Sequence, residues 1–331
     1  SAVEIGNATL SSQTLSFLDS LIETAARVED LVIVYSIADT AFTDEAEEVR
    51  DQINQMDSIA KRQHRTVAPT SGTEIGSVLR HRLFEEIQDD AAEEVAEKYQ
   101  EFYQNSSRTL PEDLEDVDYD ERIEREYPFH PTVLSVLKEK IDTLQNFQRT
   151  RGALQLLARS IYHLWDNKPE NYERHFLRIY DMTPADNEPA GSIISKLNET
   201  VFEEKNLNPA VEADIYTADG DAHAQKEDKK WTEKGLPGLG SQVTVTVLWH
   251  SLATVDRATG VTRDSLYAAV AHPEINFDDY DAAIEALTGQ SKDMASACYF
   301  LYHEDLFKFK SVPNLIRLID KHKSNVTLER A

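Results

Sequence analysis

Residues 31–37 read LVIVYSI, an apolar and largely β-branched run bounded by polar residues. A segment with no polar face predicts a strand buried on both sides, as in the parallel sheets of α/β proteins. One such strand does not make a sheet. TVAP at 66–69 is the only candidate for a second, so the other strands lie outside this chain or the protein is a helical one. Helices are expected around the run: residues 10–26 put Leu15, Leu18, Leu21, Ile22 and Ala25 on one stripe, and EAEEVRDQINQMDSIAKRQ follows. The expected fold is therefore mainly α with a partial α/β region.

From Thr73 onward the periodicity is helical. TEIGSVLRHRLFEEI and AAEEVAEKYQEFY carry apolar residues at three- and four-residue spacing, LPEDLEDVDYDERIER reads as an acidic loop, and YPFHP leads into a helix with Pro131 in its first turn. In FQRTRGALQLLARSIYHLW, Ala153, Leu154, Leu157, Ala158, Ile161, Leu164 and Trp165 define a further amphipathic helix. Residues 217–240 are polar and Gly-rich, the composition of a linker or long surface loop. The remainder runs QVTVTVLWHSLATV, GVTRDSLYAAVAHP, FDDYDAAIEALTG, CYFLYHEDLFKFK and NLIRLIDKHK. Local propensity reads VTVTV as strand, but the order helix, helix, helix, hairpin is the ground plan of a winged helix. Four parts are expected: 1–72, a partial α/β core; 73–216, helical; 217–240, linker or loop; and 241–331, winged-helix-like.

Acidic residues number 60 against 34 Lys plus Arg, a formal net charge of -26. Solubility in ordinary cytosol needs far less, whereas at molar salt the screening length falls to about 3 Å and such a surface no longer repels itself. The expectation is a halophile's protein. Residues 241–331 hold 12 acids and 9 bases, so this module is nearly neutral, with Lys308, Lys310, Arg317, Lys321 and Lys323 gathered toward its end. Cys298 is the only cysteine, which excludes a disulfide framework and a cysteine-based zinc site. With no long apolar run and no signal-peptide pattern, the expected location is cytoplasmic and no membrane contact is foreseen. The start at Ser1, without methionine, fits a fragment of something longer.

No G-x-x-x-x-G-K-[ST] loop, H-E-x-x-H or G-x-S-x-G occurs, GLPGLG at 235–240 follows no strand, and the histidines show no metal-ligand spacing. His130 in YPFHP reads as a structural histidine. Arginine is the residue type that stands out: Arg62 and Arg65 before TVAP, Arg80 and Arg82 in VLRHRLF, and Arg149 and Arg151 at the front of a helix. A single arginine is usually a solvated charge or weak ion pair. Cations in a first helical turn oppose the local dipole, however, and arginine is what phosphoryl transfer uses to hold transition-state charge.

The segments VAPTSGTEIGSVLRHRLFEEI, YPFHPTVLSVLKEKI and NFQRTRGALQLLARSIYHLW resemble a family of large P-loop ATPases of the initiator-like AAA+ type. That family is catalogued as a domain of unknown function in prokaryotic phage-defence islands and is similar to the phage-growth-limitation ATPases. The resemblance spans about residues 10–331. It implies that Arg151 is sensor 2 of a helical lid, with Arg149 as support. Ser36 or Asp39 would be sensor 1, and Arg62 or Arg65 the arginine finger acting on a neighbour's nucleotide. The family's P-loop and Asp-Glu strand would lie upstream of Ser1, so ATP and Mg²⁺ are expected only with an N-terminal P-loop half or neighbouring AAA+ subunits. Defence-system proteins are further expected partners. Duplex DNA would meet Arg263, Lys308 and Lys310, but one arginine in the recognition position is meagre, and contact with protein is favoured. The rival expectation is a non-enzymatic adaptor that binds partner proteins or DNA.

Overall fold

The computed structural model describes residues 75–114, 118–138, 149–166, 174–184, 207–252, 259–291 and 295–324, with scattered residues between 4 and 28. Two compact units divide the chain, 1–71 and 72–331. In the first, β1 (Glu4–Ile5) and β2 (Ala8–Thr9) pair antiparallel, and the residues described between 13 and 24 are helical. The runs LVIVYSI and TVAP lie outside the described residues, as does the helix expected between them.

The second unit is mainly α. Its helices are α1 (Ile75–Leu83), α2 (Asp89–Gln104), α3 (Tyr119–Glu126), α4 (Pro131–Val136), α5 (Arg149–Asp166), α6 (Asn208–Ala210), α7 (His223–Thr232), α8 (Leu239–Ser251), α9 (Arg263–Val270), α10 (Phe277–Thr288) and α11 (Leu315–Ser324). β3 (Leu301–His303) and β4 (Phe307–Phe309) form an antiparallel hairpin, to which Val261 adds a bridge at Phe307. The order of three helices and a hairpin from α8 to β4 is as the sequence predicts.

The core is built around α8, which is buried on nearly every side and touches α7, α9, α10 and β4. Its VTVTV run is helical because burial overrides the β preference of branched side chains, and the hydroxyls are satisfied within the helix. Thr244 Oγ1 donates to Gly240 O at 2.8 Å, Thr246 Oγ1 to Gln242 O at 2.7 Å, and Ser251 Oγ to Val247 O at 2.6 Å. Caps set the neighbours: Thr262 opens α9, Asn276 opens α10, and Gly289 closes α10 in the left-handed region at φ 71°.

Three expectations are corrected. Within 217–240, read as linker or loop, residues 223–232 form α7, which buries His223, Ala224, Glu227 and Trp231. Its buried stripe is largely polar, so hydropathy does not reveal it. The acidic segment 110–125 also carries helix, since α3 turns Tyr119 and Ile123 into the core. In α5, Ala153 and Leu157 are buried as expected, but Leu156 joins them, while Ala158 and Trp165 are exposed.

Candidate functional site

Arg149 and Arg151 stand in the first turn of α5, where the sequence puts them, and that turn holds no acidic residue. Their side chains lie outside the described residues, as do Ser36, Asp39, Arg62 and Arg65. Helix α5 packs against α1, whose last turn is basic through Arg80, His81 and Arg82. Arg80 is tied down, donating to the carbonyl of Arg125. A helix start that carries cations and no acidic residue favours an anion.

A second concentration of polar chemistry was not legible in the sequence. Tyr99 and Tyr103 of α2 are buried beside His130, the segment 174–181 and the α9–α10 connection. Tyr103 Oη lies 2.9 Å from His130 Nε2. His130 Nδ1 accepts from Thr132 N at 3.3 Å, capping α4, so its proton sits on Nε2 and faces the tyrosine oxygen. Burial first, then Arg178 and Arg122, hold His130 well below its usual range, and it is neutral. The expected structural histidine is what the geometry shows.

Arg178 is 2 % exposed; it donates to Ala269 O at 2.8 Å and lies 5.2 Å over the Tyr99 ring. Beside it, His272 Nε2 is 3.1 Å from His175 Nδ1, and Lys98 Nζ is 2.9 Å from His175 Nε2. Lys98 opens onto a groove of about 650 Å³ floored by Phe102 and Phe277, which stack at 5.6 Å. What these residues share is long range: each contact joins segments separated by dozens of residues, so no local spacing announces them.

Elsewhere the buried polar groups hold the fold. Asp214 accepts from Tyr299 N at 2.8 Å and Phe300 N at 2.6 Å and pairs with His223 Nδ1 at 3.0 Å. Burial, with Asp214 close by, raises the Cys298 thiol well above its usual range, which leaves it inert as a nucleophile. Among the described residues no group of three or more His, Cys, Asp or Glu is placed to hold a metal ion. None of their helices is long and apolar enough to cross a membrane.

The cations expected to meet DNA are largely engaged. Arg263 donates to Asp281 at 2.8 Å and lies over the Phe307 ring, while Asp281 also receives Arg108 at 2.8 Å and the Tyr267 hydroxyl. Lys310 sits 4.0 Å above the Tyr302 ring, and Lys308 is half-buried on β4. The helix expected to read the major groove therefore spends its one arginine internally.

No curated protein and no solved structure matches the chain. A family described as the DUF499 second domain matches residues 70–251, from just before α1 to the end of α8. That span takes in α5 with its two arginines and all of α2, and it covers more than half of the sequence, so the chain belongs to the DUF499 second-domain family.

Proposed function

We propose that the chain is the lid and winged-helix portion of an AAA+ type ATPase of a phage-defence or restriction-like system, adapted to high salt. The observation that carries the reading is the start of α5: Arg149 and Arg151 occupy the first turn of an 18-residue helix with no acidic residue beside them. Membership in a domain family numbered second of a set is consistent with an active unit assembled from several parts. The chain by itself does not fit ATP, because its sequence has no phosphate-cradling P-loop, and no chemical step is assigned to it alone. Arg151, with Arg149 beside it, would act on a nucleotide held by a P-loop half or a neighbouring subunit, stabilising negative charge on the transferred phosphoryl group. The test is phosphate release by a reconstituted complex. Arg151→Ala should lower kcat by about a thousandfold or more, the scale of arginine contributions in phosphoryl transfer. Wild-type turnover in that variant removes the assignment.

The adaptor reading is favoured by one observation, the engagement of Arg263 by Asp281. A module whose cations are used internally suits a protein partner better than DNA. Fluorescence anisotropy with a labelled duplex at about 50 mM salt checks this, since phosphate-driven binding would appear there and fall steeply as salt rises. An adaptor for a protein partner expects no such binding, and an adaptor for DNA expects it.

A further inference from the structure

The groove between α2 and the α9–α10 connection has walls that are fastened to each other. Phe102 of α2 stacks on Phe277 with ring planes 2° apart. Arg108, just past α2, binds Asp278 and, at 2.8 Å, Asp281 of α10. Lys98 Nζ lies 2.9 Å from His175 Nε2, and His175 Nδ1 lies 3.1 Å from His272 Nε2. A recess of about 650 Å³ held by such contacts is preformed, so a ligand enters without first ordering its site.

Each wall presents an exposed glutamate to the recess, Glu101 on α2 and Glu274 on the connection. Among the described residues neither carboxylate has a hydrogen bond or an ion pair. On a chain of net charge -26, exposed carboxylates alone mark nothing. These two share a concave lining with the half-buried Phe102 ring, and the one lysine there is engaged with His175. Ring and carboxylate together are what the fold itself uses to seat an arginine: Arg263 lies 5.6 Å over the Phe307 ring and donates to Asp281 at 2.8 Å.

We propose that the groove binds an arginine side chain carried on a basic segment of a partner protein. The guanidinium stacks on the Phe102 ring and donates to Glu101 and Glu274. A lysine fits less well, because its compact and strongly hydrated ammonium neither stacks nor forks. Nucleic acid would set phosphates against two carboxylates, and an apolar helix would bury both without partners. The volume is several times that of one side chain, so the residues flanking the arginine enter as well. None of the lining residues belongs to α5, so the inference stands apart from the ATPase reading.

The experiment uses the full chain and a fluorescein-labelled peptide of about ten residues in which arginines alternate with glycine and serine. Binding is read by anisotropy at about 0.1 M salt, where long-range attraction is screened. The arginine peptide should bind, and its lysine and citrulline counterparts should bind at least about tenfold more weakly. Glu101→Gln with Glu274→Gln should weaken the arginine peptide at least about tenfold through the loss of charge-assisted hydrogen bonds, with an unchanged thermal melt because both side chains are exposed. Glu93→Gln with Glu233→Gln removes the same charge from exposed sites outside the groove and should leave binding unchanged. Equal binding of the arginine and lysine peptides, or equal weakening by the two glutamate pairs, reports attraction to the acidic surface as a whole and overturns the inference. So does no binding of the arginine peptide, or a dimer in light scattering that Glu101→Gln with Glu274→Gln splits, which makes a second copy the occupant.

Discussion

Two titratable side chains, the half-buried Asp228 and the buried His130, push stability in opposite directions with pH. Asp228 is raised from 3.8 to about 6, chiefly by burial, although Ser241 and Gly240 donate hydrogen bonds to it at the start of α8. The folded state holds this proton more tightly than the unfolded chain does, so stability falls as pH rises from about 4 to about 6 and is level above that. Asp228→Asn keeps an acceptor for Ser241 N–H and removes the half-buried charge. Urea unfolding at pH 7 should show it more stable than wild type, by up to about 3 kcal/mol for a shift of this size. His130 has the reverse sign: held neutral in the fold, it contributes fully above its unfolded value of 6.5, and that contribution is lost as pH falls below it. His130→Asn retains the cap on Thr132 but loses Tyr103. It should cost about 2 kcal/mol at pH 7 and flatten the acid-side loss in the same unfolding series. The role of His130 was legible because YPFHP is local, with Pro131 marking the helix start. Asp228 was not, because its partners lie 13 residues away across a turn.

At the scale of elements, the contact between α7 and α8 depends on close backbone approach. A Cβ on Gly240 would meet the carbonyl oxygen of Ala224 at 2.6 Å and the Glu227 Cβ at 3.0 Å. The oxygen is backbone and cannot rotate away, so Gly240→Ala must separate the helices. Thermal melting should report a loss of about 1–3 kcal/mol, the usual range for overpacking. In sequence, GLPGLG looks like loop punctuation; in the fold Gly240 is the place where two helices touch. The same inversion explains why α7 was unreadable, since it faces the core with His223, Glu227 and Trp231, where Trp231 Nε1 donates to Glu227 Oε1 and His223 Nδ1 meets Ala213 O and Asp214. Helices α9 and α10 were readable because Thr262, Asn276 and Gly289 are local signals that tertiary context had no reason to override.

For the molecule as a whole, the boundary at residue 251 of the family match cuts through one core. Arg178 is held by Ala269 O, and Asp214 by the amides of Tyr299 and Phe300, all beyond that boundary. A fragment covering 70–251 should bind a hydrophobic dye and unfold without a cooperative transition, whereas 72–331 should unfold cooperatively; dye fluorescence and urea titration distinguish them. The net charge of -26 adds a second expectation: the melting temperature of the full chain should rise as KCl is added, because screening relieves self-repulsion. Asp214 also sets a schedule. Its carboxylate is fully buried, and its two amide donors are encoded 85 and 86 residues later. At ordinary elongation rates the ribosome needs roughly 5–15 seconds to reach them, and for that interval the charge has to stay in water. Closure of residues 207–251 over Asp214 is therefore expected to wait for the segment that carries Tyr299 and Phe300, and limited proteolysis of nascent chains ending before and after residue 300 would read that order.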